Sequence, residues 1–468
     1  MKYILSENIA LRSWPIVPYA YYIRGHNFAG GLKKDEFDLL LSCDGKTDLP
    51  LSELLISLLQ RGLIRHAEEG ETLTSWQQLC IYMNRYIPQM NLQITAQCNY
   101  NCVHCFNASD NSPLLSEMPY EDVLHLLDDA KSCGIHALTI TGGEPMLHPH
   151  FMDIMRAIYE RDMFVFDFNT NGFFLTQEVL DEFKELGCSP LMKISFDGIG
   201  YHDWMRGAKG AEEDALRAIR LCVDNGFRVM VQYNINKRNL PTLEETLDLL
   251  DAMGVTEIRL IRTTPAPRWE QNAAGQTFSI EEYYDLALET VKNYAAKQHR
   301  AELVIWQAVY LYPESKMFAL APVKNTDVKF RGSIPICRTA RGMIAIGANG
   351  EVYPCMQMSG GLEDRGISFG NIKKESLPAI LKKSDYLSVI CLTVQDRIDK
   401  NGKCGKCPFL EYCMGGCPAM AMLSTADTNP LAPDPLKCFF YENGYYEKFV
   451  SALPGWYNLS VMELNHKE

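Results

Sequence analysis

The sequence predicts an α/β chain built around six parallel strands, with a small winged-helix-like segment before them and a cysteine-rich third after them. Three observations carry that prediction. From about residue 91 to 310, short apolar runs alternate with amphipathic helical stretches, the pattern of a parallel sheet covered by helices. Glycines at 134, 187, 226 and 254 stand where those helices should end, since a helix C-terminus favours a residue that tolerates positive φ. The polar and cysteine motifs of this stretch follow the apolar runs, at the strand ends where barrels of this kind gather their chemistry.

Residues 1 to about 75 read as short strands at 2–5, 10–14 and 20–24, helices at 33–42 and 51–62, and a last short strand opening at Gly62. That is a winged-helix pattern, but acidic residues outnumber basic ones in it, and phosphate contact needs clustered Lys and Arg. Residues 76–90 are expected as a linker helix. The six strands are expected at 92–96, 137–141, 164–169, 192–196, 228–234 and 257–262, with helices at 120–132, 151–160, 177–186, 211–225 and 243–253. Residues 311–468 then form a separate cysteine-rich domain.

At 468 residues and 47% hydrophobic content, the chain exceeds what one core usually supports, so two or three domains are expected. No apolar run is long enough to span a bilayer, and the opening MKYILSENIALRS holds too short a stretch for a secretory signal. The expectation is a cytoplasmic protein without a membrane partner, and the formal net charge of -13 disfavours nucleic acid. In a reducing compartment, 16 cysteines read as metal ligands rather than disulfides. Cys43, Cys80, Cys133, Cys188, Cys222 and Cys391 are scattered and read as inert thiols, Cys391 being the possible exception. The other ten are grouped.

Cys98, Cys102 and Cys105 lie in CNYNCVHC. Three thiolates at Cx3Cx2C spacing suit a cubane iron-sulfur cluster with one corner open, since four irons normally take four cysteines. Zinc is the alternative, although its sites usually pair a short spacing with a second pair or with histidines. Gly142-Gly143-Glu144-Pro145 follows the second strand, Asn169 to Gly172 the third, and Ser195 to Gly198 the fourth. Each alone could be an ordinary turn. In the last third stand Cys337, Cys355, Cys404, Cys407, Cys413, Cys417 and Cys438. A zinc ribbon would use Cys404, Cys407, Cys413 and Cys417 and strand the other three.

Together and in this order, the barrel motifs resemble the radical S-adenosylmethionine (SAM) superfamily, whose TIM-like partial (βα)6 barrel carries Cx3Cx2C after its first strand and GGEP after its second. The resemblance implies that Cys98, Cys102 and Cys105 hold a 4Fe-4S cluster whose open iron is chelated by SAM. Gly142 and Gly143 would let backbone carbonyls approach the SAM ammonium, and Glu144, followed by Pro145, would supply an acceptor charge. Asn171, Ser195 and Asp197 would reach the ribose or the methionine end. Arg206 would clamp the SAM carboxylate with its planar fork, unless it is a plain surface arginine. Phe106 would sit near the adenine, or be a core residue.

The seven later cysteines resemble the SPASM extension of radical SAM enzymes that modify peptides and proteins. By that resemblance Cys404, Cys407, Cys413 and Cys438 hold one auxiliary 4Fe-4S cluster, and Cys337, Cys355 and Cys417 another. The second set is one ligand short. An open iron, Cys391 or a non-cysteine ligand would complete it, and three clusters are expected in all. In this setting residues 1–75 resemble the leader-recognition element of ribosomal-peptide (RiPP) modifying enzymes, or are a capping domain without a ligand.

The implied activity is a radical SAM oxidoreductase acting on a peptide. A donor such as flavodoxin or ferredoxin reduces the cluster, which passes the electron to the SAM sulfonium and releases methionine and a 5'-deoxyadenosyl radical. That radical takes hydrogen from a ribosomally made precursor peptide, and a thioether or carbon-carbon crosslink forms. The auxiliary clusters collect the remaining electron, and the protein positions and shields the chemistry. Alternatives are an anaerobic sulfatase-maturating (formylglycine-forming) enzyme, a peptide epimerase, and an electron carrier that does not cleave SAM.

Overall fold

The computed structural model describes every residue except 28, 106–115, 264–266, 321–331, 338–340, 364, 426–428, 456 and 460–468. Six parallel strands form at Gln89–Thr95, Ala137–Gly142, Phe164–Thr170, Leu191–Ser195, Val229–Ile235 and Glu257–Arg262. Each lies beside the next in chain order. Alternation along these strands separates two faces. Met90, Leu92 and Ile94 of the first, and Met192 and Ile194 of the fourth, join one large core with the covering helices. Asn91, Gln93, Lys193 and Ser195 therefore point the other way, into the barrel.

The helices Tyr120–Ser132, Phe151–Glu160, Gln177–Glu185, Ala211–Asp224 and Leu243–Ala252 cover the outside. Gly134, Gly187, Gly226 and Gly254 all take positive φ just beyond helix ends. Fully burying a Leu, Ile or Phe is worth about 1.5–3 kcal/mol, so such a core outweighs local propensity in fixing the strands.

The sheet continues past the six strands to twelve. Glu302–Ile305 adds in parallel to the sixth, and the hairpin Val309–Tyr312 with Met317–Leu320 follows antiparallel. At the opposite edge Met343–Ile346 pairs in parallel with the first strand, and Val352–Tyr353 pairs antiparallel with it in turn. These runs are too short to stand out in the sequence, and the pairing of Met343–Ile346 with the first barrel strand joins segments remote along the chain. They bring the cysteine-rich third back against the barrel.

The N-terminal unit holds two small sheets. Lys2–Leu5 lies between Asp44–Asp48 and Ile64–His66, both antiparallel to it. Ile9–Trp14 pairs with Val17–Ile23, which carries Gly30–Gly31 at its edge. Helices Lys34–Leu41 and Glu53–Gln60 pack Phe37, Leu40, Leu55 and Leu58 onto Tyr3, Leu5, Ile9 and Leu11. The other face of Ile9–Trp14 buries Ala10 and Trp14 with Tyr22 and Trp76, and this face docks on the barrel. Tyr22 donates from its hydroxyl to Gly134 O and stacks on His136, ring centroids 3.5 Å apart.

The linker helix expected over 76–90 does not form. Arg12 draws the carbonyls of Trp76 and Gln78 onto its guanidinium, and Cys80–Ile81 pairs in parallel with Arg12 and Ser13. Tyr82 and Tyr86 pack on Trp14. Extended pairing and aromatic contacts thus take the residues a helix would have used, and the first barrel strand starts at Gln89, right after Pro88. Among the described residues, no helix is long and apolar enough to cross a membrane.

Candidate cluster and cofactor site

The cysteine loop leaves the first strand and is gripped by the short helix His202–Arg206. Asn101 N donates to Arg206 O at 3.1 Å and Val103 N to Met205 O at 3.0 Å. Val103 itself packs with Met205, Trp204 and Trp269. Cys98 is buried, and its sulfur accepts from Tyr100 N at 3.4 Å and from Asn171 Nδ2 at 3.9 Å. Cys102 Sγ accepts from Arg206 Nη1 at 3.8 Å, and Cys105 N closes the turn on Cys102 O. N–H groups aimed at sulfur stabilise thiolates, which is what iron ligation needs. Burial pushes the Cys98 thiol up to about 12, so a cationic partner must supply the thiolate form.

The GGEP turn meets this loop directly. Gly143 N donates to Thr95 O and Glu144 N to Gln97 O, both at 2.8 Å. A Cβ on Gly143 would stand 2.2 Å from Gln97 O and 2.5 Å from Ala96 O. The close approach that demands glycine is therefore to the protein's own backbone. Pro145 is buried and opens the turn Pro145–Leu147.

Glu144 is placed differently from the expectation that it faces the SAM ammonium. It is fully buried, and its carboxylate accepts from Asn171 N at 2.8 Å, from Thr170 Oγ1 at 3.0 Å and from Met146 N at 3.4 Å. Burial pushes it up to about 7 against these hydrogen bonds. Its reach is taken by the end of the third strand, where it fixes Asn171 beside Cys98. Asn171 also donates to Asn99 Oδ1 at 2.8 Å.

Asp197 and Arg206 form a buried ion pair, with Asp197 Oδ2 2.6 Å from Arg206 Nη2. Asp197 is fully buried, takes Asn234 N on Oδ1 at 2.9 Å, and lies against His202. Burial opposes its charge, but Arg206 and His202 outweigh burial and hold its pKa below the usual carboxylate range. Asp197 thus faces Arg206 at ion-pair distance, and its Oδ2 makes no aligned hydrogen bond. Arg206 is not a surface arginine. Its Nη2 meets Asp197 as an ion pair, and its Nε makes no hydrogen bond, which leaves the Nε–H for an anion beside Cys102. Ser195 ends the fourth strand, partly buried. Phe106 lies outside the described residues.

His202, Trp269 and the brace between Arg206 and the cysteine loop were not legible as parts of the site. Only the run HDWMRG pointed to that region, and its backbone pairing left no spacing signal.

In the C-terminal third, Cys404, Cys407, Cys413 and Cys438 line one pocket together with Lys403, Lys437 and Tyr441. This is the four-cysteine set expected for one auxiliary cluster. Burial, with the nearby Cys337 adding to it, pushes the Cys355 thiol up to about 12 and the Cys417 thiol up to about 11, so the three thiols lie close together. Cys391 is exposed. It caps the helix Ser384–Ile390, its N–H donating to Leu387 O at 3.0 Å. Among the described residues, no three His, Cys, Asp or Glu side chains converge as they would on a single metal ion. The first loop's three thiols, with N–H groups on Cys98 and Cys102, fit an iron-sulfur cluster.

Comparison with known proteins places these features. Residues 92–253 match the Radical SAM superfamily, and residues 337–408 match an iron-sulfur cluster-binding domain, SPASM. An AdoMet-dependent heme synthase of Methanosarcina barkeri is 26% identical over 340 residues, covering 72% of this chain and 92% of that protein. A PqqA peptide cyclase of Granulibacter bethesdensis is 23% identical, covering 75% of this chain and 88% of its own length. The crystal structure of Streptococcus suis SuiB bound to precursor peptide SuiA superposes with a TM-score of 0.65 at 14% identity, over 93% of this chain and 99% of that one. By both domain matches, the chain carries a radical SAM domain in its barrel and an iron-sulfur cluster-binding SPASM domain in its C-terminal third.

Proposed function

We propose that this chain is a radical SAM peptide maturase that forms a thioether or carbon-carbon crosslink in a ribosomally made precursor peptide. The observation that carries the reading is the inner wall of the barrel. Thr139, Asp167, Lys193, Asn169 and Gln232 line it, with Lys193 Nζ 2.6 Å from Asp167 Oδ2, Thr139 Oγ1 donating to the same oxygen, and Gln232 donating to Asn169 Oδ1. Amides, hydroxyls and charges on this wall offer further donors and acceptors to the polar groups of a peptide. The likeness to SuiB adds support, because it runs through nearly the whole chain and so includes most of the N-terminal unit. We read that unit as the winged-helix-like leader-recognition domain.

Cys98, Cys102 and Cys105 would hold the first cluster, with the GGEP turn, Ser195 and the Nε–H of Arg206 as the residues that would hold SAM beside it. When bound, cluster and SAM supply a 5'-deoxyadenosyl radical that removes hydrogen from the substrate. The chain's part is placement: Glu144 and Asn171 set the loop under Cys98, and the Asp197–Arg206 pair sets the one under Cys102.

A second reading, a synthase acting on a porphyrin, draws on the heme synthase relative. One experiment separates the two. The reconstituted full chain is incubated anaerobically with SAM, reductant and the peptide encoded beside its gene, or with a porphyrin in its place. A peptide product lighter by the lost hydrogens supports the proposal. Formation of 5'-deoxyadenosine with unchanged peptide mass, or a porphyrin that loses mass, overturns it. Removal of residues 1–75 should abolish peptide modification while SAM cleavage continues, and a sulfatase-maturating activity would survive that deletion. Replacing Cys98, Cys102 and Cys105 by Ala should end SAM cleavage altogether.

A further inference from the structure

Between the two auxiliary cysteine sets runs Cys413-Met414-Gly415-Gly416-Cys417, a loop with one ligand of each set at its ends. Its three middle residues all take positive φ, at 51, 90 and 75°. They do so to wrap around two buried side chains. A Cβ on Gly415 would meet Arg397 Cδ at 2.3 Å, and one on Gly416 would meet Asp434 Cβ at 2.4 Å. The loop is therefore shaped to a charge at its centre.

Arg397 comes from the helix Val394–Lys400 and is fully buried. Its Nη1 donates to Gly415 O and its Nη2 to Pro430 O, and its Nε has no hydrogen-bond partner. Both acceptors are neutral carbonyls. Among the described residues, Arg397 has no carboxylate in ion-pair contact. A guanidinium keeps its proton in a protein, so this is a permanent buried charge, and such a charge is costly unless an anion meets it.

A second cation lies beside it. Lys437, on the helix Pro435–Glu442, is 4% exposed, lines the four-cysteine cavity and donates to Gln307 O. Among the described residues, the carboxylate near both is Asp434, and its oxygens are engaged by Cys417 N at 2.8 Å, Leu436 N at 2.9 Å and Lys437 N at 3.2 Å. Arg397 thus places a buried positive charge, with no carboxylate in ion-pair contact among the described residues, beside the loop that joins the two cysteine sets. A cubane held by thiolates is a net anion and gains one further negative charge on reduction, and its potential follows the charge and hydrogen bonding around it.

We propose that Arg397, with Lys437, is the built-in counter-charge of the two auxiliary clusters and sets the potential at which they accept an electron. These are positioning residues: Arg397 touches the loop that carries Cys413 and Cys417, Lys437 lines the four-cysteine pocket, and both act on the clusters through their charge. The inference concerns the SPASM domain alone and stands whichever substrate the barrel takes.

The test uses the full chain with Cys98, Cys102 and Cys105 replaced by Ala, so that only auxiliary clusters give a signal. Arg397→Gln, Arg397→Lys and Lys437→Gln are reconstituted anaerobically, assayed for iron and sulfide, and titrated potentiometrically with detection by electron paramagnetic resonance. Arg397→Gln and Lys437→Gln should keep their clusters and show midpoints moved to more negative potential. Arg397→Lys, which keeps the charge, should stay near the parent. Unchanged midpoints in both Gln variants overturn the proposal, as does equal cluster loss in Arg397→Gln and Arg397→Lys, which would mark a scaffold role. If Arg397→Gln does not fold, the Lys437→Gln midpoint decides alone: a negative shift supports the inference, and no shift sinks it.

Discussion

Glu144 offers the most direct test of how the barrel builds its cofactor site. Replacing it by Ala leaves Asn171 N, 2.8 Å from the carboxylate, and Thr170 Oγ1, 3.0 Å away, without their acceptor in a fully buried position. Each unsatisfied buried group costs about 1–3 kcal/mol, so the loop after the third strand should lose about 2–6 kcal/mol of local stability. Glu144→Gln keeps one oxygen for Asn171 N and gives up only the 3.4 Å contact from Met146 N, a loss of about 1 kcal/mol or less. Hydrogen exchange read by mass spectrometry over residues 164–175 measures the difference. At about 1.4 kcal/mol per tenfold, the Ala variant should exchange there at least about 30-fold faster, and the Gln variant within about fivefold of the parent. The comparison belongs at pH 8, above the value of about 7 to which burial pushes this carboxyl. Equal effects of Ala and Gln, or unchanged exchange in the Ala variant, would refute the idea that the carboxylate holds Asn171 under Cys98.

Three further outcomes are expected. Gly143→Ala should lower iron content, because its Cβ would stand 2.2 Å from Gln97 O and the backbone before Cys98 must shift, at about 1–3 kcal/mol for overpacking; iron analysis after reconstitution reads the loss. Asp197→Ala leaves the Arg206 charge buried without its carboxylate, which should cost about 3–5 kcal/mol and show in urea unfolding of the cluster-free protein. His136, stacked on Tyr22, is pulled by burial down to about 3. A depressed folded-state pKa means that its contribution is intact above about 6.5 and is lost as pH falls, by about 1.4 kcal/mol per unit. Between pH 7 and 5 the docking of the N-terminal unit should therefore weaken by about 2 kcal/mol, and His136→Phe should remove that dependence in limited proteolysis.

Much of the barrel was written in the sequence. Its strands and helices repeat one local pattern, and local patterns survive without neighbours: the helices Tyr120–Ser132 and Phe151–Glu160 form over the residues that periodicity marks. The linker at 76–90 was misjudged because its conformation is set from outside, by Arg12 and Trp14 of a strand some 65 residues earlier. The added strands Glu302–Ile305 and Met343–Ile346 were missed for the same reason. Cysteine spacing, being local, marked the Cx3Cx2C loop and the run from Cys404 to Cys417; only the family resemblance divided the later cysteines into two sets.

The sequence by itself determined which chemistry this chain can hold: Cx3Cx2C and GGEP at successive strand ends, and seven later cysteines in two sets. Tertiary structure alone decided what each neighbouring side chain does. Glu144 serves Asn171, Asp197 serves Arg206, and Arg397 lies at the junction of two cysteine sets whose ligands come from segments up to a hundred residues apart. Spacing along a chain fixes a ligand's identity, but the partner of a buried charge depends on which distant segments the core draws together.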